Sequence, residues 1–122
     1  MIAIILIVFM EKDKPQGVLE FPLTEHTARL IINDLARNHT DRIAWSWHVK
    51  QRMLERGVTS QQILTLLKSR RSVFKEGPYE DLNGDWKFNL KGLAAGQIIE
   101  VTIALKNYQK SPLSVVVTVW VV

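Results

Sequence analysis

His48, Arg52 and Arg56 follow one another at intervals of four in the segment SWHVKQRMLERG, Ser46 to Gly57. Four residues is just over one helical turn, so on a helix His48 and Arg52 share a side and Arg56 is displaced toward the next. A histidine titrates close to neutral pH and can act as general acid or base. Guanidinium groups hold phosphate oxygens through paired N–H donors. Together these are the parts that RNA phosphodiester cleavage needs, a proton carrier and fixed positive charge for the transition state. The same spacing fits a solvated helix face with Glu55 paired to Arg52 or Gln51. Spacing by itself favours that plainer outcome, because three polar residues on one helix face are common.

The surrounding charge is uneven. The chain carries sixteen Lys and Arg against twelve Asp and Glu, a net charge of +4. Between Arg42 and Lys75 stand eight basic residues and one acidic, Glu55, so that stretch carries +7 and the remainder −3. Like charge gathered over one stretch attracts polyanions, of which nucleic acid is the commonest. Lys50, Arg70 and Arg71 are therefore expected to contact RNA beside the helix. Lys87 and Lys91 extend that surface from a strand, on the face opposite Trp86. Of the four tryptophans, Trp86 shares a face with Phe88 and Leu90 and is expected in the core, whereas Trp47 and Trp120 suit a partly exposed groove where bases can stack.

Composition narrows the classes further. A chain of 122 residues is most simply one domain with one hydrophobic core. The absence of cysteine excludes thiol chemistry, disulfides and cysteine-bearing metal sites, and suits the cytoplasm. No HExxH, GxxxxGK[ST] or GxSxG motif occurs. The run DLNGD, Asp81 to Asp85, resembles the start of a calcium loop, but the sixth and twelfth positions hold Trp86 and Gly92, so it reads as a hairpin turn. Neither a metal nor another cofactor is expected. The opening MIAIILIVF is too short to cross a bilayer as a helix and is followed directly by charged residues, unlike a secretory signal. It reads as an extra strand or as residues preceding a natural start at Met10. Residues 1–22 are accordingly expected to form an extension and 23–122 the domain.

The elements that must position these side chains follow from periodicity. Ala28, Ile31, Ile32 and Leu35 mark a helix over 24–38 with Thr24 as N-cap. Ser46 opens the helix that carries His48, and Gly57 stops it. Thr59 and Gln62 have capping-box spacing and open a helix that buries Ile63, Leu64, Leu66 and Leu67, completing a helical hairpin. From Ser72 the period changes to two. SVFKE is the first strand, with a break at Gly77-Pro78 and a turn at Asn83-Gly84. DWKFNLK, QIIEVTIALK and LSVVVTVWVV follow, joined by GLAAG and NYQKSP. The last is apolar on both faces, which suits a central position. The expected class is α+β, an N-terminal helix and a helical hairpin packed on a three- to four-stranded antiparallel sheet.

His48, Arg52, Arg56 and Gly57, then a short helix, the Tyr79 turn region, a GDWKF strand and a closing VVVTVW strand resemble a family of small bacterial toxin-like domains of unknown function. Its pattern, H-x3-R-x3-R-G followed by a valine-rich strand ending in threonine and an aromatic, covers about Ile43 to Val122. The family looks like a distant branch of the RelE/BrnT-type ribonuclease toxins. The resemblance implies a compact α+β fold in which helices and sheet frame an RNA-binding groove, with metal-independent cleavage. By position, His48, Arg52 and Arg56 match the motif, with Thr118 on the last strand. It implies RNA, free or on the ribosome, as substrate and a cognate antitoxin as partner, with no membrane association. Many such toxins use basic and aromatic residues from a C-terminal end, and this chain stops at Val122. Two further readings stand beside the ribonuclease: a module that binds nucleic acid or protein without catalysis, and an accessory protein that uses MIAIILIVF as a strand in an oligomer.

Overall fold

The structure is a computed structural model and describes residues 15–122; the readings made for MIAIILIVF and Met10 fall outside them. Helix α1 spans Glu25–Asn38, β1 Ile43–Trp45, α2 Trp47–Arg56 and α3 Ser60–Lys68. Strands β2 Val73–Glu80, β3 Trp86–Ala94, β4 Gln97–Lys106 and β5 Leu113–Val121 complete the chain. The five strands form one sheet in the order β1-β5-β4-β3-β2. Neighbours are antiparallel except β1, which runs parallel to β5. The α+β class holds, while the expected three or four antiparallel strands are five in a mixed sheet. The additional strand is IAW, three residues that are too short to show a period and exist only because β5 offers a partner. Arg42 fixes its entry, donating to the carbonyls of Pro112 and Ser111 at 3.2 and 3.1 Å.

Local chemistry sets the helix ends. Thr24 accepts from the Thr27 N–H, Ser46 from the Val49 N–H, and Thr59 with Gln62 forms the capping box. Gly57 ends α2 in the left-handed region at φ 65°, which a side chain disfavours. The stripe Ala28, Ile31, Ile32, Leu35 is buried, as are Ile63, Leu66 and Leu67 of α3. These meet one face of the sheet, formed by Trp86, Phe88, Leu90, Val101, Ile103, Leu105, Val116 and Val119. Gly92 admits α3 to this face, since a Cβ there would lie 2.8 Å from Cδ1 of Leu66.

Two connections differ from expectation. Gly77-Pro78 does not end β2; the strand continues to Glu80 through two register shifts, which lets it carry a residue without an N–H. The helical hairpin is not a packed pair. α3 contacts α1 and β3, whereas α2 lies against β5. Asn33 secures the first arrangement by donating to the carbonyls of Leu67 and Ser69. Residues 15–22, expected as part of an extension, are hydrogen-bonded to the turn after β4 through Val18 N–H to the Tyr108 carbonyl (3.0 Å) and Tyr108 Oη to the Glu20 carbonyl.

Candidate nucleic-acid interface

β1 covers only the first part of β5, because its three residues pair with Ser114, Val115 and Val116. Beyond that point no strand among the described residues lies beside the outer edge of β5, and its carbonyls need donors. Helix α2 supplies them. Ser46 Oγ accepts from the Val49 N–H and donates to the Val117 carbonyl at 2.8 Å, and an Arg56 guanidinium N–H donates to the Val119 carbonyl. Val49 is fully buried and Met53 packs on the core. With 100° of rotation per residue, Arg52 and His48 fall on the flank of α2 away from Met53. Arg52 is half-buried and donates to Glu55 Oε2 at 2.6 Å. His48 and Lys50 are exposed, and among the described residues the His48 side chain has no hydrogen bond or ion pair. The structure thus joins the three motif residues to one helix but gives each a different task, and Arg56 is a clamp on the sheet.

Among the described residues no helix packs on the other face of the sheet. Alternation turns Lys87, Asn89 and Lys91 of β3 onto it, with Glu100 and Thr102 of β4 and Thr118 and Trp120 of β5. Cross-strand register sets them in rows: Lys91 opposite Glu100 opposite Trp120, and Asn89 opposite Thr102 opposite Thr118. The centre is tied together. Thr102 Oγ1 donates to Asn89 Oδ1 at 2.9 Å, and Asn89 Nδ2 donates to Glu100 Oε2 at 3.0 Å. Asn89 is only 9% exposed, so its amide is fixed by both bonds and in turn fixes the carboxylate. Strands lie about 4.8 Å apart, which puts Lys91 about 10 Å from Trp120 across the row. This is a row of cation, fixed carboxylate and ring.

Lys87, on the same face, is 3.6 Å from Asp81 Oδ2. Burial opposes ionisation of Asp81, but the Asp85 and Asn83 backbone N–H groups and Lys87 outweigh it and hold the carboxyl below its ordinary value. Asp81 is therefore the Asx-turn residue of the β2–β3 connection, as the hairpin reading of DLNGD expects. Arg70 and Arg71 are exposed in the link between α3 and β2, apart from α2. Trp86 is buried, as expected; Trp47 is 73% exposed on α2, and Trp120 is half-buried on the open face.

Sequence reasoning missed Glu100, Asn89 and Thr102. Which of these three lie side by side depends on the β3–β4 register, which no local pattern contains. No group of three His, Asp or Glu capable of holding a metal occurs among the described residues. No helix among them is long and apolar enough to cross a membrane. No protein-family model, curated protein or solved structure matches the chain.

Proposed function

We propose that this protein acts on RNA as a toxin-type, metal-independent endoribonuclease of RelE/BrnT kind, cleaving through attack by the RNA's own 2′-hydroxyl. One juxtaposition supports the reading: the helix carrying His48 lies along β5, and β5 carries Thr118 and Trp120 onto the open face shared by Lys87, Lys91 and Glu100. A single strand crossing that face meets lysines for its phosphates and Trp120 for a base. His48 is the proton-transfer group, with Arg52 beside it and Lys91 and Lys87 supplying charge along the strand. Transesterification also needs a second proton acceptor or donor, and Glu100, held by Asn89, is suited to it. Arg56 serves this site by positioning α2 on β5.

The second reading, a module that binds RNA or a protein such as an antitoxin without cutting, draws on one observation. The guanidiniums of Arg52 and Arg56 already have partners, Glu55 and the Val119 carbonyl. Incubation of the purified protein with end-labelled single-stranded RNA in EDTA separates the two. The ribonuclease reading expects products ending in 2′,3′-cyclic phosphate and a loss of about 10²- to 10⁴-fold in rate for His48→Ala. Intact RNA at high protein concentration, with binding that weakens as salt rises, selects the module. Cleavage undiminished in His48→Ala removes His48 from the mechanism.

A further inference from the structure

At the end of the open face near the β3–β4 hairpin, three aliphatic side chains stand in solvent: Val73 (56% exposed), Leu93 (67%) and Ile98 (46%). They come from three adjacent strands. Val73 pairs with Lys91, and Leu93, two residues further along β3, pairs with Ile98. With Arg71, Lys75, Lys91 and Gly92 they line an open groove of about 420 Å³. Three branched side chains stand together here within a rim of cations, the arrangement of an apolar contact surface with a polar border. Every charged residue lining the groove is a cation.

We infer that this groove docks an acidic segment of a partner protein, its aliphatic side chains seated on Val73, Leu93 and Ile98 and its carboxylates meeting Arg71, Lys75 and Lys91. Charge complementarity selects the occupant: an apolar centre with a rim of one sign accepts a segment of the opposite sign and rejects its own. A second copy of this chain seated groove to groove would bring the same three cations together. Nucleic acid satisfies the cations but not the centre, because single-stranded sites bind bases on aromatic faces and none of these lining residues is aromatic. The inference does not rest on RNA cleavage.

The test is a titration of the ¹⁵N-labelled full chain, followed by amide shifts, with a synthetic peptide of alternating glutamate and leucine. The same peptide with lysine for glutamate and a short adenine-only RNA serve as comparisons. The acidic peptide is expected to shift the amides of Val73, Leu93 and Ile98, and the lysine peptide to leave them in place. Leu93→Asp and Lys75→Glu each weaken the interaction at least tenfold; both side chains are exposed, and circular dichroism verifies that the variants fold. The inference is overturned by an acidic peptide that shifts nothing, by equal shifts with both peptides, or by unchanged binding in Leu93→Asp. Larger shifts of these amides with RNA than with the acidic peptide assign the groove to nucleic acid and overturn it as well.

Discussion

On α2 two surface cations have partners within the chain, Arg56 at a β5 carbonyl and Arg52 at Glu55, whereas on the open face of the sheet Lys91 stands across from Glu100 and beside a fixed amide. The two regions carry similar side chains and differ in what their backbone leaves unsatisfied. On its outer edge β5 has no strand partner among the described residues after Val116, so the nearest long donor is drawn to that edge. β3 and β4 satisfy one another along nine residue pairs, and nothing in their ladder competes for the lysines. The availability of Arg56 is thus decided by the unpaired edge of β5, whereas Arg52 and Lys87 are met by the carboxylates of Glu55 and Asp81.

Substitutions can break this contrast. Arg56→Ala leaves the Val119 carbonyl without its donor at a partly buried edge and is expected to destabilise by about 1–3 kcal/mol. Urea denaturation measures it; a change within about 0.5 kcal/mol, the range of an ordinary surface substitution, makes Arg56 as free as Lys91 and dissolves the contrast. Asn89→Ala is expected to lower stability by about 1 kcal/mol, the worth of an ordinary hydrogen bond. It also releases Glu100, so it should reduce RNA cleavage more than Lys87→Ala does, a comparison read from single-turnover rates. Arg52→Ala removes an exposed i,i+3 pair and should cost less than about 0.5 kcal/mol, sharpening the difference between two arginines only four residues apart.

A smaller effect follows from acid. Backbone N–H of Thr24 and then the Thr27 and Thr24 hydroxyls hold Glu20 below its ordinary value, and Asp81 is lowered as described. A carboxyl whose folded value is depressed contributes stability that is complete above the unfolded value, about 4 for these groups. That contribution disappears as pH falls through the folded value. Thermal melts should therefore show midpoints falling below about pH 4, with the fall reduced in Glu20→Gln and Asp81→Asn. Identical slopes in wild type and both variants would remove these groups from the acid response.

Much of the architecture was legible locally. Thr24, Ser46, the Thr59–Gln62 box and Gly57 bound three helices where caps and a left-handed stop require them, and a period of two located β3, β4 and β5. The place of β5 between β1 and β4 is the central position that its apolar run suits. The misses share one cause. β1 exists through pairing, not propensity; β2 passes Gly77-Pro78 because β3 holds it on both sides of the irregularity; and the two helices after Ser46 separate because each finds a different strand. At the site, spacing correctly put His48 and Arg52 on one flank, but it could not tell an available guanidinium from one bonded to a carbonyl 63 residues away.

The sequence by itself determined the helix boundaries, the apolar stripes and the concentration of positive charge, because each depends on interactions within a few residues. Only the tertiary structure decided that Arg56 clamps β5, that Glu100 lies between Lys91 and Trp120, and that Val73, Leu93 and Ile98 form one groove. These are consequences of strand register, and register is set by pairing between residues that the sequence keeps far apart.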